Sequence, residues 1–184
     1  MLRATLLTAF IVALVAGFGC SQYRTTGGDA QASAAKLQNQ AETTVERFKT
    51  EDPSLATFFE NSYGYAVFPE VAKGAAGIGA AHGEGVVYER GAMVGTTTLT
   101  QGTIGAQLGG QTYSEIIFFE DDATLERFKQ GDVEFSAQAS AVAAAEGASA
   151  NADYDAGVAV FTLNQSGLMF EASIGGQKFT FTPN

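Results

Sequence analysis

The sequence predicts an α+β protein, in which an antiparallel β-sheet closes into a barrel or sandwich-like body. N-terminal amphipathic helices precede the sheet, and one further helix is inserted midway. Apolar residues recur every three or four positions over residues 30–50, which indicates a helix, and short Val-, Ile-, Phe- and Thr-rich runs separated by Gly follow Tyr63. Of the 184 residues, 46% are hydrophobic and only 16% are charged, which is typical of a chain with a packed core and excludes a disordered one.

The first residues have the layout of an export signal. Arg3 supplies a positive charge, residues 6–15 are almost all apolar, and small residues follow them. The apolar run is too short to cross about 30 Å of hydrocarbon as a permanent helix. Residues 1–19 are therefore predicted to be a signal peptide.

Cys20 follows Gly19 at the end of this segment, which resembles the bacterial lipobox, where the cysteine is acylated and becomes the first residue. We expect lipid attachment at Cys20, because several acyl chains anchor a protein stably. Residues 20–30 then form a flexible lipidated tether. Ser21 is not the acidic residue that retains lipoproteins at the inner membrane, so the expected location is the outer membrane, facing the periplasm. Ordinary signal cleavage, which leaves Cys20 as a free thiol, is the alternative.

Two helices are predicted to precede the sheet. The first covers residues 30–50, and the second begins at Asp52 and Pro53, which provide an N-cap and a first-turn proline, and ends near Asn61. Their apolar stripes are Leu37, Ala41, Val45 and Phe48 in the first helix and Leu55, Phe58 and Phe59 in the second.

Short strands are predicted after the helices, with a third helix inserted among them. This helix begins at Asp121 and ends before Gly131, which is a suitable C-terminal cap. Residues 133–143 alternate as a strand does, although their Ala content leaves a helix as the alternative. A tight hairpin is predicted across Gly175 and Gly176. The other predicted strands are 64–68, 77–82, 85–89, 93–105, 114–119, 157–162, 167–174 and 177–182.

Composition excludes several classes of function. A formal charge of −10 argues against nucleic acid as a partner, and a single Cys excludes Cys-cluster metal sites. His82 is the only histidine and has no recognisable nucleophile or ligand partner in the sequence, so we predict neither catalysis nor a bound metal or other cofactor. The glycines over residues 74–79 precede strands and not a helix, which excludes a nucleotide-binding loop.

Several ordered motifs resemble the SYLF domain, also called the Ysc84 actin-binding domain. The resemblance covers residues 31–181, so residues 31–184 are expected to form one SYLF-like domain. The motifs are YGYAVFPEVAKG at 63–74, GVVY at 85–88, QLGGQ at 107–111, YSEIIFF at 113–119, GDVEF at 131–135 and GGQKF at 175–179.

The resemblance implies a lipid-binding module. Eukaryotic members of the family bind phosphoinositide membranes through an amphipathic N-terminal helix and basic residues, and some bind actin. Bacterial members are secreted or lipid-anchored. We therefore expect a non-catalytic lipid-binding domain whose partners are membrane lipids, and no actin, which a bacterial envelope does not contain. The helix at 30–50 occupies the corresponding place, with Lys36, Arg47 and Lys49 as its basic residues.

Five residues of the domain are candidates for lipid contact. Lys73, Arg90 and Lys178 can meet headgroups, although isolated cations on an acidic protein also serve solubility. Phe58 and Phe59 can line an acyl cavity or enter a bilayer, although core packing is the simpler explanation. Two other functions stay open, namely an envelope interaction module whose lipid contact is the Cys20 anchor alone, and an enzyme acting on lipid or cell-wall material. The sequence does not indicate an oligomeric state.

Overall fold

The computed structural model describes residues 27–133, 140–143, 146–166, 172–173 and 175–184. These residues form a mixed α/β fold with three α-helices and a six-stranded sheet, which confirms the predicted class. The predicted signal peptide and Cys20 lie outside the described residues. In chain order the elements are α1 (Gly27–Glu51), a first 3₁₀ turn (Pro53–Leu55), α2 (Ala56–Asn61), β1 (Gly64–Glu89), β2 (Ala92–Phe119), α3 (Asp122–Lys129), β3 (Ser140–Ala143), a second 3₁₀ turn (Ala148–Asn151), β4 (Val158–Ser166), β5 (Ala172–Ser173) and β6 (Gln177–Pro183).

Two long strands replace the five short ones predicted between residues 64 and 119. β1 and β2 form one antiparallel hairpin, joined at Arg90 and Gly91, whose positive φ angles of 48° and 81° suit a type I′ turn. From the sequence, glycines of this region were predicted to lie between strands. In the structure these glycines lie within β1 and β2. At Gly85 a Cβ atom would lie 2.7 Å from the carbonyl oxygen of Val67, so glycine is needed because two parts of β1 approach closely.

Of the two predicted forms of the sheet the barrel is wrong and the sandwich-like body stays a prediction, while the sheet is largely antiparallel as expected. β1 runs along one edge of β2, and the other edge of β2 pairs with β6 beside its first half and with β4 beside its second half. β3 then pairs with β4 in parallel, and β5 pairs with β3. Within the described strands β5 and β6 do not pair with each other, so the sheet does not close into a barrel.

Parts of the β1–β2 hairpin that are far apart along the strands pack around one shared core. Phe68 lies beside the second half of β2 and Phe179 beside the first half, yet their ring centroids are 5.9 Å apart. The side chains on this face form what we call the inner core, which α3 covers with Leu125 and Phe128. Its main members are Ala66, Phe68, Val71, Val87, Leu99, Tyr113, Ile117, Phe119, Leu125, Phe128, Val160 and Phe179.

A second core, here called the helix-side core, lies on the opposite face of the sheet beneath α1 and α2. Adjacent residues alternate between the cores, so that Val67 belongs to the helix-side core and Phe68 to the inner core. Because both faces are covered, β2 can carry the unbroken apolar run 116–119. The main members are Ala41, Val45, Phe48, Leu55, Phe58, Val67, Val86, Tyr88, Ile116, Phe118, Phe161 and Leu163.

The helix ends follow the predicted capping residues. The Asp52 carboxylate accepts a hydrogen bond from the backbone N–H of Ser54 at 3.1 Å, and that of Asp121 accepts one from Thr124 at 2.8 Å. Gly131, with φ of 78°, follows α3 in the left-handed conformation that a helix C-terminus favours. The predictions for Asp121 and Gly131 are confirmed, whereas Asp52 caps the first 3₁₀ turn and the predicted second helix is divided into that turn and α2.

Other predicted boundaries are met in part. α1 begins at Gly27, inside the predicted tether. The strand interpretation of residues 133–143 is confirmed at Ser140–Ala143, and most of the remainder lies outside the described residues, as does most of the predicted strand 167–174. Gly175 and Gly176 form a turn as predicted, but β5 and β6 on its two sides pair with different strands.

Candidate functional site

Helix α1 buries one face on the sheet and exposes the opposite one. Ala41, Val45 and Phe48, spaced four and three residues apart, are buried in the helix-side core, and Thr44 is buried beside them. Lys36, by contrast, is exposed. Among the described helices none is both long and apolar enough to cross a membrane.

A groove of about 600 Å³ separates the flank of α1 from the sheet. It ends on Pro69 and Glu70, where the register between β1 and β2 shifts in a β-bulge. The Pro69 carbonyl accepts hydrogen bonds from the Ser114 hydroxyl at 2.8 Å and from the Gln165 amide, so side chains of β2 and β4 hold the bulge in place. The groove is lined by Ala32, Ala35, Lys36, Asn39, Gln40, Thr43, Thr44, Arg47, Pro69, Glu70 and Gln165.

Two cations face this groove on an otherwise acidic protein. Lys36 and Arg47 lie three helical turns apart along it, and within the described residues neither forms an ion pair. Lys49 differs, because its ammonium group bonds the Glu46 carboxylate at 3.0 Å and does not line the groove. Polar amides and hydroxyls separate the two cations, so the groove can bind an anionic or zwitterionic headgroup.

The three cations proposed from the motifs do not form one site. Lys73 lies in β1 opposite Gln111, on the inner face of the sheet, whereas Lys178 is exposed on the outer face of β6. Arg90 occupies the hairpin turn, where its guanidinium lies 4.8 Å from the centre of the Tyr63 ring. They are therefore placed on different surfaces.

The two aromatic candidates are brought together, but as core residues. The side chain of Phe58 is 8% exposed, and its ring lies 5.0 Å from that of Phe161. Phe59 is half-buried, 4.9 Å from Phe118, and the Lys49 ammonium lies 5.0 Å from its ring. Both rings fix α2 to the helix-side core, which favours the packing interpretation over an acyl cavity.

Sequence reasoning missed a buried polar cluster at one end of the inner core. Glu115 and Gln177 are fully buried, and the Gln177 amide donates to Glu115 Oε2 at 3.0 Å. Glu115 Oε1 has no hydrogen-bond partner in the described part of the protein. Burial raises the pKa of Glu115 to about 7, while the Gln177 hydrogen bond and the Lys73 charge oppose the shift. The alternation of side chains along β2 puts Glu115 on the same face as Ile117. No residue near Glu115 in the sequence indicates that Gln177 is its hydrogen-bond partner.

Chemistry that needs a metal or a histidine base finds little support in this arrangement. Among the described residues no three His, Cys, Asp or Glu side chains are grouped so as to hold a metal ion. His82 is exposed on β1, opposite Thr100.

Comparison with known proteins identifies two similarities. Residues 100–184 match the family model Ysc84, described as Las17-binding protein actin regulator. Over 144 residues the chain is 31% identical to beta cell expansion factor A of Aeromonas veronii, covering 78% of this chain and 55% of that protein. The chain thus spans about half the length of this curated relative.

Proposed function

Because this chain belongs to the Ysc84 (SYLF) family through residues 100–184, we propose that it is a non-catalytic lipid-binding domain of a bacterial envelope lipoprotein. In this proposal acyl chains on Cys20 hold the protein at the membrane, on the periplasmic face of the outer membrane. The groove between α1 and the Pro69 bulge then contacts lipid headgroups.

The observation that carries the proposal is the pair of cations in the groove. Lys36 and Arg47 line it without ion-pair partners in the described residues, although the whole chain has a formal charge of −10. Isolated cations beside a polar groove attract phosphate, and each contributes on the order of 1 kcal/mol near an anionic surface. Glu70 also lines the groove and limits this attraction, so the binding is expected to be weak and sensitive to salt.

Vesicle flotation of the exported Cys20→Ser form tests the domain without its anchor. We expect weak binding to vesicles containing anionic lipid, and a decrease as ionic strength rises, because screening weakens the attraction to phosphate. The double variant Lys36→Gln and Arg47→Gln should lose most of this binding.

Lys49→Gln is the matched control, because Lys49 is on the same helix but is paired with Glu46 and lies outside the groove. It should bind vesicles as the parent does. A parent domain that stays unbound on zwitterionic and anionic vesicles alike would refute intrinsic lipid binding. Equal losses in the double variant and the control would refute the groove as the contact.

A further inference from the structure

A separate pocket of about 410 Å³ lies between α2 and the second 3₁₀ turn, away from the α1 groove. Its size falls within the range of about 300–1,000 Å³ that is usual for small-molecule sites. Phe58, Ala150 and Tyr154 supply apolar surface, and the Phe58 and Tyr154 ring centroids are 5.4 Å apart. Ser149 and Asn61 are among the polar residues that line it.

A buried carboxylate holds both walls of this pocket in place. Asp52, which is fully buried, accepts hydrogen bonds from the N–H and the hydroxyl of Ser54 on one wall. On the other wall it accepts from the N–H of Gly147 at 3.2 Å and from that of Ser149 at 2.8 Å. The two serine hydroxyl oxygens are 2.6 Å apart across the junction. The pocket is therefore preorganised, which lowers the entropic cost of binding.

The lining excludes two classes of ligand. Among the described residues no Lys or Arg lines the pocket, whereas the carboxylate of Asp153 does, so an anion would be repelled. An acyl chain would bury the exposed polar side chains of Thr57, Asn61 and Asp153 without offering them hydrogen-bond partners.

The Tyr154 side chain adds an unused polar group at the same place. Its hydroxyl is buried and has no hydrogen-bond partner in the part of the protein that the structure describes. Burial, with a smaller contribution from the charge of Glu120, raises the pKa of Tyr154 to about 12, so the hydroxyl keeps its proton at neutral pH.

We infer that this pocket binds the ring of a neutral saccharide, either free, in a glycan, or on a glycolipid. A sugar ring has an apolar C–H face that packs on aromatic and methyl groups, and hydroxyls at its edge. Those hydroxyls can donate to the Asp153 carboxylate and exchange hydrogen bonds with the exposed side chains of Thr57 and Asn61. The inference stands apart from lipid binding along α1, because the two sites share no lining residue.

Amide NMR of the exported Cys20→Ser form tests the inference. N-acetylglucosamine and its β-1,4-linked tetrasaccharide represent the free sugar and the glycan, and phosphatidylcholine vesicles with a galactosyl diacylglycerol represent the glycolipid. We expect shifts confined to residues 54–61 and 149–154 with at least one of these ligands, and the responding ligand identifies the source of the ring. Ethanolamine and acetate, as a cation and an anion, should cause none there.

Ala150→Trp should fill the pocket and weaken saccharide binding by at least about tenfold. Ala56→Trp is the matched control, because Ala56 is exposed at the start of α2 and does not line the pocket. It should bind as the parent does. The inference is overturned if no saccharide shifts these amides, if ethanolamine or acetate shifts them instead, or if Ala150→Trp binds as tightly as Ala56→Trp.

Discussion

Glu115 is a carboxylic acid enclosed in the inner core with the Gln177 amide as its hydrogen-bond donor. Burial disfavours its charged form, so its pKa lies near 7 in the folded protein, compared with 4.5 for an ordinary Glu. The folded state therefore holds the proton more tightly than the unfolded state. The group opposes folding as pH rises from about 4.5 to about 7, and its effect is constant above that range.

Glu115→Gln is expected to remove this pH dependence while keeping an acceptor for Gln177. The wild type should lose on the order of 3 kcal/mol of stability between pH 4.5 and pH 7 that the variant retains. Thermal unfolding followed by circular dichroism at intervals from pH 5 to pH 8 measures the difference. Glu84→Gln, at an exposed position of β1, is the control and should follow the wild type. A constant gap between wild type and Glu115→Gln across this range would contradict the buried-acid account.

Gly85 lies where two parts of β1 approach each other too closely for a side chain. In Gly85→Ala the added Cβ would lie 2.7 Å from both the Val67 carbonyl oxygen and the Phe68 ring, so we expect a loss of about 1–3 kcal/mol. Gly74→Ala is the matched control, because no atom lies within 4 Å of its added Cβ. Urea denaturation compares them, and similar stabilities would show that the two parts of β1 do not approach each other in solution.

At the scale of elements, Asp52 joins two segments that are distant in sequence. Its carboxylate caps the first 3₁₀ turn and also binds the N–H groups of Gly147 and Ser149. Burial by itself would raise the pKa of Asp52, but the hydrogen bonds from Ser54 and Ser149 together lower it. Its stabilising effect is therefore present above the unfolded value of 3.8 and is lost as pH falls through the folded pKa.

Asp52→Ala is expected to cost about 3 kcal/mol, because it removes a cap and leaves buried N–H groups without acceptors. Urea unfolding at pH 7 measures this loss, and the gap from wild type should narrow in acid. Asp121→Ala removes a cap from α3 alone and should have a smaller effect. Equal losses in the two variants would mean that the contact with residues 147–149 contributes nothing.

The whole molecule contains two cores that share one sheet. Phe48 belongs to the helix-side core and Phe128 to the inner core, and β2 contributes alternate residues to both. Loss of packing on one face therefore disturbs strands that support the other. The domain is expected to unfold as one cooperative unit.

Phe48→Ala and Phe128→Ala should each cost about 3–5 kcal/mol, because each leaves a cavity at a fully buried position. Far-UV circular dichroism reports the backbone, and near-UV dichroism of the six tyrosines reports the packing, since the chain lacks tryptophan. The two signals should give one midpoint in each variant. Separate midpoints would show that the cores unfold independently.

Sequence by itself determined the helices and the residues that cap them. The spacing of Ala41, Val45 and Phe48 identified α1, and Asp52 and Asp121 identified the caps, because helix periodicity and capping depend on residues a few positions apart. The cations Lys36 and Arg47 were also visible in the sequence. That they line a groove depends on the bulge at Pro69, which belongs to another element.

Only the tertiary structure decided how the sheet is built and which distant residues meet. From the sequence, glycines of β1 and β2 were predicted to lie at strand ends. Gly85 instead lies inside β1, and glycine is required there because another part of β1 approaches its backbone closely. The sheet stays open because closure depends on long-range pairing, which alternation along one strand does not specify. Glu115 meets Gln177 across 62 residues of sequence, and Asp52 meets Ser149 across 97. Such contacts follow from how the hairpin folds, so the buried acid and the pocket between α2 and the second 3₁₀ turn exist only in the folded chain.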